Sequence, residues 1–250
     1  MSPFLTLNLS LLDKRITILL YHIINKRRDN KAFTMKPPLP KGYSPSHILT
    51  YRKCEYKFLF AYIYKVPVKT TFQPLLTGSD IHEDISKGLF VSEDPNIQKM
   101  ITVAHNFLSS MPENPIFETN FEDVNNPGTF KGTIFDLPFL ATFDVHWVDE
   151  RIGVDWKVSE QKEKYYENYE IQAYILNELF KQKYQNNLRK FYFVFLKDGS
   201  HYEAQSIYNG TVRSQTENKI LYAIEGMKKL EFKKNMPWAC EWCEYRGLCI

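Results

Sequence analysis

The chain has 250 residues, 44% of them apolar and 24% charged, with 32 Lys plus Arg against 29 Asp plus Glu. That balance is ordinary for a globular domain and excludes a disordered or collagen-like chain. A net charge of +3 is too weak a field to name nucleic acid as a partner, and four cysteines are too few for a disulfide scaffold.

Residues 1–34 stand apart from the rest of the chain. Their apolar run, 16–24, is too short to span a bilayer, lies behind Lys14 and Arg15, and has no small-residue cleavage site after it. They read as an extension outside the fold, either a short packed helix or sequence preceding a true start at Met35. With no long apolar run elsewhere, the chain reads as soluble and intracellular, with no membrane partner. Residues 35–250 read as one domain.

Ser44-Pro45 is a helix start, with Ser as cap and Pro at the first helical position. The helix is predicted to run to about Tyr64 through Ile48, Tyr51, Cys54, Phe58, Leu59 and Tyr62. Further helices are predicted over 79–88 and 95–110, with a turn at 92–95 between them. From 114 the apolar period becomes two, which predicts strands over 115–122, 139–148 and 151–158. A long helix over 165–185, strands over 190–197 and 201–207, and a helix over 211–230 complete an α/β domain with helical additions. No phosphate-binding GxxxxGK[ST] loop occurs.

The chemistry gathers on the hairpin at 139–158. Alternation puts Ile152, Val154, Trp156 and Val158 on one face of their strand, and Asp155 and Lys157 on the other. In the preceding strand Ala141, Phe143, Val145 and Trp147 form the apolar face, with Thr142, Asp144 and His146 opposite. A two-residue turn at Asp149-Glu150 sets Phe143 against Trp156 and Asp144 against Asp155, so both apolar faces agree. Facing carboxylates whose Cβ atoms lie about 4.5–5.5 Å apart repel unless something neutralises them. A divalent cation does so, and hard oxygen ligands suit Mg²⁺ or Mn²⁺. Lys157, on the same face, is placed to hold or deprotonate a metal-bound water or to stabilise charge on phosphoryl oxygens. His82, in Gly78-Ser-Asp-Ile-His82, is a third candidate ligand upstream.

Cys240, Cys243 and Cys249 fall within the last eleven residues, and with Cys54 they make four soft ligands. Spacing alone leaves Zn²⁺ and an iron–sulfur cluster both open. Local basic patches are Arg52, Lys53 and Lys57 beside Cys54, Arg189 and Lys190 before a strand, and Lys228, Lys229, Lys233 and Lys234 before the tail cysteines. Two of the three flank the cysteines, which makes them candidate phosphate contacts. Trp238, Trp242 and Tyr245 are placed either to stack on bases or to pack around the cysteines.

Taken in order, Ser44-Pro-Ser-His-Ile-Leu-Thr-Tyr51-Arg-Lys-Cys54-Glu-Tyr-Lys-Phe58, the GxxxH ending at His82, the Asp144 strand, Asp155-Trp156-Lys157, a helix bearing Gln172, and Cys240-x-x-Cys243-x5-Cys249 form a pattern. It resembles the PD-(D/E)XK nuclease superfamily, in the RecB-like branch of the CRISPR-associated Cas-four exonucleases, over residues 40–250. The resemblance implies a mixed central sheet flanked by helices, with N-terminal helices and a C-terminal cysteine cluster. It implies that His82, Asp144 and Asp155 bind Mg²⁺ or Mn²⁺ with the main-chain carbonyl of Trp156, that Lys157 activates water, and that Gln172 sits near that water or the DNA. It also implies a 4Fe–4S cluster on Cys54, Cys240, Cys243 and Cys249. The implied activity is deoxyribonuclease, an exonuclease on single-stranded DNA with 5′-to-3′ polarity, and the implied partners are spacer-integration or recombination proteins. The chain departs from the family at Ala141, where Gly is common, and at Leu176, where QxxxY has Tyr; Tyr174 lies on another face of that helix.

Overall fold

The structure is a computed structural model and describes residues 39–67, 73–117, 128–229, 232, 240 and 243–249. The extension 1–34 and the candidate contacts Lys233, Lys234, Trp238 and Trp242 lie outside the described residues.

The chain opens with α1 (Pro45–Lys53), capped by Ser44, whose side chain accepts from the His47 N–H. The predicted single helix to Tyr64 is broken at Cys54, which is extended (φ −162°, ψ 115°) while its N–H still bonds the Thr50 carbonyl. A short α2 (Glu55–Phe58) comes next, then a π-helical turn (Leu59–Ile63). Beyond them lie α3 (Gln73–Ser86), starting earlier than expected, and α4 (Pro95–Ser109), capped by Asp94.

Five strands form the main sheet in the order β1-β4-β5-β6-β7: β1 (Ile116–Phe117), β4 (Val145–Trp147), β5 (Ile152–Lys157), β6 (Lys190–Phe195) and β7 (His201–Glu203). Neighbours are antiparallel except β5 and β6, which are parallel. A parallel pair needs a crossover, supplied here by α5 (Tyr166–Tyr184). The closing helix is α6 (Gly210–Lys229). Among the described residues no helix is long and apolar enough to cross a membrane.

Two predicted strands also change. Residues 139–148 are not one strand: β3 (Leu137–Thr142) pairs with an unforeseen β2 (Thr129–Ile134) in a separate two-stranded sheet, and the chain breaks at 143–144 before β4. Strand 201–207 stops at Glu203 because the buried Glu170 carboxylate on α5 accepts the N–H groups of Gln205 (2.8 Å) and Ser206 (2.7 Å), which bends the chain into a 3₁₀ turn.

The sheet carries a core on each face. Alternation along β6 sends Phe191, Phe193 and Phe195 to the face covered by α5 and α6, where they pack with Ile171, Ile175, Leu179, Ile220 and Ile224. Tyr192 and Val194 go to the other face with Val154, Trp156, Val145 and Trp147, under Ile81 and Ile85 of α3 and Met100 and Ala104 of α4. The break at 143–144 corrects the expected pattern. Phe143 joins the α5 face rather than sharing that of Trp156, and its ring lies 5.8 Å from that of Phe191. His146 lies opposite Val145 and Trp147 as expected, but fully buried among Phe130, Phe143 and Phe180, and burial pushes its pKa down to about 4.

Gly153 makes that crossing of rings work. A Cβ there would lie 2.6 Å from Phe143 and 2.7 Å from Phe191, closer than carbon atoms approach. Gly153→Ala is therefore expected to destabilise the fold by about 1–3 kcal/mol, the usual cost of overpacking a filled core. A urea midpoint shifted down at unchanged slope would show it; an unchanged midpoint would mean that the rings move aside.

Candidate functional site

The β4–β5 ladder pairs Val145 with Val154, His146 with Gly153 and Trp147 with Ile152, the register expected from the sequence. Asp144 lies just before the first paired residue, in the break after β3. From there its Oδ2 accepts the Trp156 N–H at 2.6 Å, which ties the break onto β5. The chain thus uses the Trp156 N–H beside Asp144, while the Trp156 indole is buried under α3 and α4.

His82 reaches the same spot from α3, held between the core residues Ile81 and Ile85, with Nδ1 3.4 Å from Asp144 Oδ1. Asp155, only 6% exposed, projects from β5 toward α5, where Gln172 Nε2 donates to its Oδ1. Lys157 Nζ stands 2.5 Å from Asp155 Oδ2 and donates to Gln172 Oε1 at 3.1 Å. Its amine lies over the rings of Phe193 (5.2 Å) and Tyr169 (5.7 Å), aromatic walls that sequence reading missed. Five predicted residues, His82, Asp144, Asp155, Lys157 and Gln172, are therefore brought together from a helix, a strand end, a strand and the crossover helix.

The two carboxylates sit in opposed environments. Burial works to raise Asp144, but His82, the Trp156 N–H and Lys157 together hold it below the usual carboxylate range. Burial raises Asp155 and Asp144 adds to this; Lys157 opposes, and the net direction is up. His82 is pulled down by burial, yet Asp144, with help from Asp155, outweighs that and pushes it up to about 9. Environments that drive neighbouring acids apart are common where chemistry is done.

Among the described residues no group of three or more His, Cys, Asp or Glu side chains is drawn together around an ion-sized point. The donor set nevertheless suits a hard divalent cation. Asp155 Oδ2 is buried and is met by the Lys157 ammonium 2.5 Å away, which lowers the cost of its charge against burial and against Asp144. A buried carboxylate beside a second carboxylate is a place where a cation lowers the free energy.

The cysteines come from the first helices and the tail of the chain. Cys54 is buried at the break between α1 and α2, and Cys240, Cys243 and Cys249 are half-buried. The Cys243 N–H bonds the Cys240 carbonyl at 3.3 Å, so the C-x-x-C closes as a turn. The tail docks on the segment after Cys54. Lys57 Nζ lies 2.9 Å from Glu244, the Tyr245 ring packs 5.8 Å from Phe60, and the Tyr245 hydroxyl donates to the Val66 carbonyl at 3.3 Å. Lys57 accordingly holds the Glu244 carboxyl below its usual range against the opposing effect of burial. Tyr245 is thus a packing residue here, 4% exposed. The four thiols are soft donors of the kind that hold zinc or an iron–sulfur cluster.

The basic candidates divide. Lys53, Arg189, Lys228 and Lys229 are exposed. Lys57 is committed to Glu244, Lys190 stands 4.0 Å from Glu203, and Arg52 is paired with Glu167.

No family model and no curated protein matches the chain. A solved structure described as "Crystal structure of SSO0001" is similar at 13% identity and a TM-score of 0.46, over 94% of this chain and 95% of that one. The reading of the site therefore rests on its own geometry.

Proposed function

We propose that the chain is a Mg²⁺- or Mn²⁺-dependent deoxyribonuclease of the PD-(D/E)XK superfamily, in the RecB-like, Cas-four-like branch with a 4Fe–4S clasp. Single-stranded DNA ends are its substrate, in CRISPR adaptation or in recombination and repair of a virus or mobile element. The observation that carries this reading is the convergence of His82, Asp144, Lys157 and Gln172 with the buried Asp155 carboxylate.

Asp144 and Asp155, with His82 and the Trp156 carbonyl, would hold the cation, which supplies Lewis acidity toward a phosphodiester and its attacking water. The chain's own groups do the rest. Asp144 stays ionised because His82 and the Trp156 N–H favour its charged form. Gln172 spans Asp155 and Lys157, donating to one and accepting from the other, so it fixes the distance between acid and amine. The Phe193 and Tyr169 rings limit where the Lys157 amine can swing, so it would stay within reach of a phosphoryl oxygen or an attacking water held beside Asp155.

The test is a 5′-labelled single strand incubated with purified full-length protein. Degradation that needs Mn²⁺ or Mg²⁺ and stops with chelator is the expected result. A competing reading, a non-cleaving DNA-binding adaptor, is favoured by Leu176, which is fully buried in the apolar core where the nuclease pattern has Tyr. DNA that is bound but left intact under both metals would establish it and overturn the nuclease.

A further inference from the structure

Three charged side chains from three helices meet at the start of α5, one of them Arg52, which the sequence marks as a candidate phosphate contact. Glu167, in the first turn of α5, pairs through Oε1 with Arg52 of α1, and its Oε2 lies 2.9 Å from Lys219 Nζ of α6. One carboxylate therefore serves two cations, and the group keeps a formal charge of +1. The Arg52 side chain is also unsaturated, because its Nε is buried without a hydrogen-bond acceptor. A guanidinium presents five donors in a planar fork that matches a phosphate as well as a carboxylate.

The surroundings point to a ligand rather than to a purely structural ion pair. Lys53, next to Arg52, is exposed, and Tyr222, one helical turn beyond Lys219, exposes 74% of its surface. An exposed aromatic beside a cation pair is what a single-stranded nucleic acid uses, the ring for a base and the cations for the backbone. Glu167 precedes Gln172 by five residues on one helix, a rise of about 7.5 Å and a rotation of about 140°, so the two side chains leave different faces of α5. The carboxylate is half-exposed, so releasing it to water costs little, and a phosphodiester entering in its stead leaves the local charge unchanged.

We propose that Arg52 and Lys219 form a backbone-phosphate site for a single strand, and that Glu167 is an internal stand-in which the phosphate displaces. The proposal rests on the nuclease reading for the identity of the strand. It adds a residue, Lys219, and a self-competing carboxylate, Glu167, that no motif contains.

The test is equilibrium binding of a fluorescein-labelled oligothymidine to the full chain, with chelator present so that nothing is cut, across about 50 to 200 mM salt. Glu167→Gln is expected to bind about three- to tenfold more tightly, and Lys219→Gln about three- to tenfold more weakly with a salt slope shallower by about one. Both side chains are half-exposed and both changes are near-isosteric, and a melting curve for each verifies the fold. Unchanged or weaker binding by Glu167→Gln overturns the proposal, most directly if its melting temperature falls, since the three charges are then a structural bridge. A wild type that does not bind oligothymidine also overturns it. Tighter binding by Glu167→Gln in a chain that cleaves nothing under Mn²⁺ would sink the nuclease and leave this site standing. Metal-dependent cleavage with unaltered Glu167→Gln affinity would do the reverse.

Discussion

Asp155→Asn is expected to slow Mn²⁺-dependent DNA cleavage by at least about 10³-fold while raising the melting temperature of the metal-free protein. The two effects share one cause. Asp155 is almost wholly buried and is repelled by Asp144, and these together outweigh the attraction of Lys157, so its ionised form is held at a cost to the fold. Its pKa is raised on folding, so the stability linked to Asp155 is full below the unfolded value and is lost as pH rises through the folded one; near neutrality the charge is therefore a burden. Asparagine keeps the shape and the contact with Gln172 but removes the charge. A gain of ~1 kcal/mol raises the melting temperature of a chain this long by about 2–4 °C. The lost activity stems from the loss of a hard anionic ligand, since a metal's transition-state stabilisation is worth several kcal/mol and each 1.36 kcal/mol is tenfold in rate. Full activity in Asp155→Asn would remove this carboxylate from the mechanism, and a lowered melting temperature would show that the pair with Lys157 outweighs the repulsion.

The second large effect is expected at the tail. On the proposed cluster, Cys243→Ser should remove brown colour and visible charge-transfer absorbance from the purified protein and lower its melting temperature by about 10 °C. A clasp joining Cys54 to the tail closes a loop of most of the domain. By analogy with a disulfide closing a 100-residue loop, such a tie restricts the unfolded chain by ~4–5 kcal/mol. What remains after its loss, the half-exposed pair of Lys57 with Glu244 and the Tyr245 ring against Phe60, is far weaker. Colourless wild-type protein carrying stoichiometric zinc would refute the cluster, and an unchanged melting temperature in Cys243→Ser would refute the clasp.

The sequence carried the local periodicities well and the interruptions poorly. Alternating apolar residues in two adjoining strands were enough to set the register that pairs Val145 with Val154, and the spacing of His82, Asp144, Asp155, Lys157 and Gln172 was enough to nominate the residues that meet. The β2–β3 hairpin was hidden because its turn, Phe135-Asp136, takes positive φ values of 52° and 58° without Gly or Asn. The switch of face at 143–144 was hidden because Ala141, Phe143, Val145 and Trp147 keep an unbroken period of two; the break has no compositional mark. The same holds for the interruption of α1 at Cys54, where the helical pattern runs on. Partners distant in sequence, such as Glu167 with Arg52 and Lys219, leave no periodic trace at all.

The placement of His82 sets it apart from its neighbours. Asp144, Asp155, Lys157 and Gln172 lie on one short stretch of chain, from the end of β3 through β5 to α5, so closing the loops between them costs little entropy. His82 arrives from far earlier in the chain and is delivered by Ile81 and Ile85 pressing on Trp147 and its neighbours across the opposite face of the sheet. The site is therefore built as a locally assembled cradle and a separately docked wall. Whatever loosens the seat of α3 opens the cradle without dismantling it.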